Sequence, residues 1–322
     1  MHENSELYDL KAKNQSFLIR LLSSPNGLIG LTIVLILILS ALFADFLAPY
    51  SPTKMGVGKR FLAPNLEFIL GTDEFGRDMV SRILFGSRLT LMIGAMAVGI
   101  SMTSGIIVGL FAAYKGGWLE TLLMRSTDVL FSFTETLIAL SCVAVLGPSL
   151  TNAVIAVGIA GIPFYARTCY SAALVEKAKP YFEASIACGA SHSRLVFMHL
   201  LPNVLPTMIV IATLGVSTAI LAAAGLSFLG LGAQPPLPEW GYMLAGSRDY
   251  INRAPWLMTI PGIAIALTVL GFNLLGDGFR TVLDLSLIHI SEPTRPERKA
   301  YAGKGVKKKN GGGGRGGAGG GG

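Results

Sequence analysis

Charge is the scarce ingredient of this chain. Only 14% of its 322 residues are Asp, Glu, Lys or Arg, where soluble domains carry roughly 25%. That deficit excludes an ordinary water-soluble globule. Cysteine is scarce as well. Cys142, Cys169 and Cys188 show no CxxC spacing, which excludes a disulfide framework or zinc site and leaves them as small apolar packing residues. The four histidines, His2, His192, His199 and His289, are scattered without a metal-ligand pattern, so no metal is expected. There is no GxxxxGK[ST] phosphate loop. Gly303-Lys304 lacks the following Ser/Thr and the strand–helix setting. Nor is there a clustered nucleophile, base or metal set, which argues against a membrane enzyme. The chain is read as non-catalytic and without a cofactor, so energy for any transport comes from a partner or an ion gradient.

What is abundant is apolar length. Hydrophobic residues make up 52% of the chain, and mean hydropathy is +0.58. Apolar runs of about 20 residues read as membrane helices. Six are expected, near 28–48, 88–113, 121–146, 152–172, 204–231 and 257–277. The fold class is therefore all-α and polytopic. Leu28 to Phe43 holds no charge. It exceeds a signal-peptide core and lacks a clear small-residue cleavage site, so it is read as a retained first span after a segment 1–27. Gly105 and Gly109 stand at GxxxG spacing, which lets helix backbones approach closely in lipid. With Gly225 and Gly230 they are candidate packing surfaces toward other helices or a partner chain.

The formal charge of +7 is concentrated at one end. From Leu285 onward eight Lys/Arg face Glu292 and Glu297, so this segment supplies +6. The body is close to neutral, and no nucleic-acid partner is implied. Residues 285–322 end in NGGGGRGGAGGGG, a run that cannot bury a core. They are read as frameshifted or otherwise non-native sequence, in preference to a basic tail touching anionic membrane lipid.

The polar stretch 181–203, YFEASIACGASHSRLVFMHLLPN, lies between two spans. Glu183 to Cys188 is a good helix run, Gly189 suits a left-handed C-cap, and Ser193 can cap a second helix toward Leu200. Pro202 and Pro206 mark re-entry into an apolar span. Helix–break–helix gives a compact knob. Glu183-Ala184-Ser185, Gly189 and Leu201-Pro202 together resemble the EAA motif of bacterial ABC-importer permeases. Ser185 stands for the second Ala, and His199 stands where the motif has an aliphatic residue. The resemblance implies a cytoplasmic coupling loop, 173–203, that docks on a partner ATPase.

Residues 70–91, LGTDEFGRDMVSRILFGSRLTL, resemble the signature of dipeptide, oligopeptide and nickel permeases, specifically the C-type subunit of each pair. The signature residues are Gly71, Thr72, Asp73, Gly76, Arg77, Asp78, Ser81 and Arg82. The residues themselves read as a turn at Gly71-Thr72-Asp73, then an amphipathic helix at the outer membrane surface within 70–87. Phe75, Met79 and Ile83 fall on one face, with Arg77, Asp78 and Arg82 on others. Gly116-Gly117-Trp118 with Leu123-Met124-Arg125 and Asp128, Gly230 to Tyr242, and Leu275 to Gly278 resemble the same subfamily. The resemblance covers roughly 20–284. Thr134 stands where many relatives have Pro, so whether the third span kinks stays open.

Three ionisable residues fall inside the third span: Arg125, Asp128 and Glu135. Arg125 and Asp128 are one turn apart and read as a local pair. Glu135 has no local partner. It is a candidate translocation-path residue, or it bonds to another helix. Basic residues flank the first span almost evenly, but Arg167, Lys177, Lys179 and Arg194 place 173–203 in the cytoplasm. An even number of spans then puts both termini there; the family resemblance, more than the charge count, implies this orientation and a multi-pass protein of the bacterial inner membrane.

The family resemblance implies a type I ABC-importer permease working by alternating access. Its partners would be a B-type permease subunit, two ABC ATPases that hydrolyse the ATP, and a periplasmic or surface solute-binding protein. The cargo is a small solute, with di- or oligopeptides ahead of nickel complexes. The rival class is an ion-coupled secondary transporter, for which an internal repeat and charged midplane pairs are expected and little of either is visible.

Overall fold

The computed structural model describes the backbone of residues 17–291 and the side chains of residues 19–282. The chain divides at Leu283/Asp284, and the packing below concerns the unit that ends at Leu283. Residues 292–322, the bulk of the expected non-native tail, lie outside the described residues.

The apolar runs form helices because only a helix satisfies every backbone group within its own segment when water is absent. α1 is Phe17–Ser23 and α2 is Pro25–Leu42. Ser24 starts α2 by accepting from the Gly27 N–H at 3.2 Å, with Pro25 in the first turn. A short α3, Ala44–Leu47, follows. α4 runs unbroken from Met79 to Lys115 and is closed by Gly116. α5 is Gly117–Phe131, α6 Glu135–Leu146 and α7 Leu150–Lys177. α8 is Pro180–Ala187 and α9 His192–Arg194. A π turn, Leu195–Leu200, then leads into α10, Leu201–Phe228. α11 is Trp240–Ser247 and α12 Trp256–Ser291. Among the described residues extended backbone pairs only at the isolated bridge Thr72–Asp78.

Five of these helices are long and apolar enough to cross a membrane, and six segments qualify if the bent pair α5–α6 is taken as one span. The third span, expected over 121–146 with its kink left open, is broken. α5 and α6 meet at 91° across Ser132-Phe133-Thr134. Thr134 is extended, with φ −64° and ψ 137°, and the Ser132 hydroxyl bonds back to the Val129 carbonyl at 2.6 Å. Thr134 therefore accompanies a sharp break without the proline of the family pattern.

The core is a seam of small residues between α4 and α7, with α6 and α10 packed around it. Ala97, Ala156, Ala166 and Cys169 are fully buried there. Gly105 and Gly109 make the close approach possible. A Cβ on Gly109 would lie 2.5 Å from the Ala166 carbonyl oxygen and 2.8 Å from the Cys169 Cβ. The expected packing surface at these glycines is therefore occupied by the chain's own α7, not by a partner. Gly225 and Gly230 have nothing within 4 Å of an added Cβ.

A second cluster sits at the 70–91 end, where Trp240 and Met243 pack with Met79, Leu257 and Ile265. The Trp240 indole donates to the Ile83 carbonyl at 3.2 Å. Leu21, Val34, Leu275 and Val282 form a third cluster that joins α2 to α12. Large apolar side chains such as Leu35, Ile36, Ile263 and Leu270 remain exposed on these outer helices, as lipid contact requires.

Candidate functional site

The segment after α7 is shaped by local capping. Pro180 opens α8, and Cys188 ends it. Gly189 follows in the left-handed region at φ +76°. Its N–H bonds to the Ile186 carbonyl at 2.9 Å, and the Ala190 N–H bonds to the Ser185 carbonyl at 3.1 Å. This is the paired 5→2 and 6→1 arrangement of a Schellman motif. The next helix is capped by Ser191, whose hydroxyl accepts from the Arg194 N–H at 3.4 Å. The expected cap, Ser193, lies inside α9, because the helix starts two residues earlier. Pro202 has no N–H to offer the Met198 carbonyl, and the preceding turn is wound wider, with the Leu201 N–H reaching Val196. His199 lies in that π turn.

Tyr181 ties the segment to the spans. Its hydroxyl donates to Glu176 at 2.9 Å and accepts from the Asn203 amide at 3.2 Å. Burial and the Glu176 carboxylate push the phenol up to about 12. Lys177 donates to the Ala113 carbonyl at 2.7 Å, binding the end of α7 to the end of α4. Tyr114 of α4 also contacts His192. The result is a braced knob whose outer side is open. Ala184, Ser185, Gly189, Arg194 and His199 line a concavity of ≈ 580 Å³. Glu183 is exposed, as are Ile186, Phe197 and Met198. Leu201 and Pro202 form the first turn of α10. Exposed apolar side chains on a braced polar knob mark an interaction surface.

At the opposite end the 70–82 residues gather, but not as the amphipathic surface helix expected. The helix starts at Met79, with Asp78 as its cap, and Phe75 lies outside it. Arg77, Asp78 and Arg82 are buried, at 4%, 3% and 2% exposure. Asp73 holds the group together. It meets Arg77 at 2.5 Å and Arg82 at 3.6 Å, while Glu74 meets Arg77 at 3.2 Å. Asp78 accepts from the N–H and hydroxyl of Ser81 at 2.8 and 2.7 Å. Thr72 donates to the Lys59 carbonyl at 2.5 Å, and the Trp256 indole donates to the Thr72 carbonyl at 3.3 Å. Gly71 and Gly76 turn at φ +75° and +69°. Burial and the neighbouring Asp73 charge raise the Glu74 carboxyl above its ordinary value. These residues pin the 50–78 loop onto α4 and α12. The missed signal was Asp78 and Ser81, an N-cap spacing at the start of a helix that continues into the apolar run of the second span.

Between the two ends, the charged residues of the third span face α7. Asp128 pairs with Arg167 at 3.2 Å and only marginally with Arg125, at 3.9 Å. The expected local pair is therefore mainly a cross-helix pair. Glu120 accepts from the Tyr170 hydroxyl one turn away. These residues line an open cleft of ≈ 750 Å³. Charged side chains exposed on membrane spans face water or protein, since lipid costs them several kcal/mol. Glu135 stands apart, at the start of α6, beside Ser101, Gly161 and Tyr165. Sequence reasoning did not single out Ser101, Tyr165, Arg167 or Tyr170 for this region. Polar side chains in the Gly/Ala-rich helix α7 were the available signal. Among the described residues no group of three or more His, Cys, Asp or Glu is placed to hold a metal ion.

Six membrane-crossing segments, a braced polar knob between two of them and a charged cleft define a polytopic transport subunit. The comparisons with known proteins agree. Residues 105–289 match the model for "binding-protein-dependent transport system inner membrane component". Residues 14–64 match that for the N-terminal TM domain of oligopeptide transport permease C. The chain is 45% identical to a dipeptide transport system permease protein of Alkalihalophilus pseudofirmus, over 80% of this chain and 85% of that one. It is 45% identical to a di/tripeptide transport system permease protein of Pseudomonas aeruginosa, over 82% and 89%. A solved structure of the MetNI methionine ABC transporter in inward facing conformations superposes with a TM-score of 0.54 at 22% identity, covering 63% of this chain and 97% of that one. That likeness shows a shared fold. This chain belongs to the family of binding-protein-dependent transport system inner membrane components. It is a multi-pass inner-membrane permease subunit of an ABC importer, and the ion-coupled alternative drops out.

Proposed function

We propose that this chain is the C-type permease subunit of an ATP-driven importer of di- and oligopeptides. The observation that carries the cargo assignment is 45% identity, sustained over 80% of the chain, to a permease named for dipeptide transport. The knob at 181–203 faces the cytoplasm and docks on a partner ATPase through Glu183, Ala184, Ser185, Gly189, Leu201 and Pro202, and both termini are cytoplasmic. ATP hydrolysis resides on two such partners, and a solute-binding protein delivers the peptide to the 70–91 end. Coupling requires that the ATPase contact the knob differently in the outward- and inward-open states. The bracing through Tyr181 and Lys177 supports this, because a rigid knob passes displacement to α4, α7 and α10.

The functional unit pairs this chain with an unlike, B-type permease. A single six-span bundle is too small to enclose a gated path for a peptide, whereas two halves can rock against each other. The test reconstitutes this chain with the ATPases and binding protein, with and without a B-type partner, and measures uptake of labelled alanyl-alanine. Uptake only with the partner is expected. Full activity without it overturns the pairing, and nickel-chelate uptake without peptide uptake overturns the cargo.

A further inference from the structure

Where α5 breaks and α6 begins, Glu135 borders a small cavity of ≈ 40 Å³, together with Ser101 of α4, Tyr165 of α7 and Thr218 of α10. The Ser101 hydroxyl is already engaged, bonding to the Gly158 carbonyl at 2.6 Å. Tyr165 is not. It is 4% exposed, and its hydroxyl is buried with no hydrogen-bond partner. A buried polar atom left unsatisfied is costly and calls for an explanation. Glu135 makes no ion pair among the described residues, although Asp128, one break away, has Arg167.

The exposed carboxylate of Glu135 and the buried, unpartnered phenol of Tyr165 therefore border one small cavity. Water hydrates the carboxylate where it is exposed but brings it no counter-charge. A hard metal cation takes six or more oxygen ligands, which these side chains do not supply. An ammonium group fits: it brings a positive charge to Glu135 and a second N–H to the Tyr165 oxygen. Resting on the peptide reading above, we propose that Glu135 and Tyr165 form a subsite for the free α-ammonium group of the peptide in transit. The α-amino group, with a pKa of about 8, is largely protonated at neutral pH. The rest of the peptide lies outside this pocket.

The test places a reporter at Thr218, which is exposed and lines the same cavity. Thr218→Cys is introduced with Cys142→Ser and Cys188→Ser, and maleimide alkylation is timed in the assembled complex. At about ten times its Kd, alanyl-alanine should slow alkylation by about tenfold, because about nine-tenths of the sites are then filled. Lactyl-alanine, with a hydroxyl in place of the ammonium, and sodium chloride should not. Glu135→Gln and Tyr165→Phe should each abolish protection, while Glu135→Asp retains part of it, which a purely structural role would not produce. Equal protection by both peptides, protection by salt alone, no protection at all, or full protection in Glu135→Gln overturns the subsite. Uptake of labelled alanyl-alanine by the wild-type complex is measured alongside. Its absence sinks the peptide assignment itself, whereas uptake with unselective protection sinks only the subsite.

Discussion

Alanine at Gly109 would put a methyl group into a seam that has no room for it. The new Cβ would sit 2.5 Å from the Ala166 oxygen, 2.8 Å from the Cys169 Cβ and 2.9 Å from the Tyr170 nitrogen. Comfortable carbon contacts lie near 3.5 Å or beyond, so α4 and α7 must part locally by roughly 1 Å. Two of the three obstacles are backbone atoms, which cannot rotate away. A gap of that size forfeits about a quarter to a half of the dispersion energy of the atoms it separates, and overpacking typically costs about 1–3 kcal/mol. Gly99 lies on the same helix with nothing within 4 Å of an added Cβ. Gly99→Ala therefore reports the propensity gain of about 1 kcal/mol by itself. The expected difference between the two variants is that overpacking cost, about 1–3 kcal/mol, or about 2–12 °C in melting temperature in detergent at about 2–4 °C per kcal/mol. Gly105→Ala combined with Gly109→Ala should cost less than the two single effects summed, since the first already parts the helices. If Gly109→Ala melts within about 1 °C of Gly99→Ala, the close-packed seam is wrong.

Three further outcomes are expected. Gly189→Val places a β-branched residue at φ +76°, a strain of about 1–2 kcal/mol. With Glu183→Ala it should weaken ATPase copurification or uncouple hydrolysis from uptake, and normal copurification with wild-type uptake sinks the docking assignment. A chain truncated after Asp284 should insert and transport normally, and loss of uptake at unchanged membrane abundance would refute that. Glu239 caps α11, accepting from the Gly241 and Tyr242 N–H groups at 3.0 and 2.7 Å. Burial raises its carboxyl above the ordinary value, more than these bonds lower it. The folded state thus holds this proton more tightly than the unfolded chain, so stability declines as pH rises from about 4.3 through the folded pKa. Glu239→Gln should flatten that decline in a thermal-stability profile across pH, and an unchanged slope would show that Glu239 does not cause it.

The sequence by itself determined the features that depend on neighbours within a few residues. Apolar run length set the spans, because in lipid a backbone must satisfy itself within its own segment. The end of α8 was legible at Gly189, because a left-handed cap is a one-residue property. The helix–break–helix form of 181–203 followed, although its second cap fell at Ser191 instead of Ser193. The tertiary structure alone decided which distant residues meet. Arg77 and Arg82 read as solvent-facing on a helical wheel, yet Asp73, the turn at Gly76 and the covering loop bury them. Periodicity cannot show that cover. Asp128 had an obvious partner three residues away, but Arg167, on a different helix, comes closer. The glycines at 105 and 109 announced a close contact and not its occupant, which proved to be α7 of the same chain. Glu135 was visible as a charge without a local partner, while the phenol beside it was not, because Tyr165 reaches that place only when α4, α7 and α10 pack together.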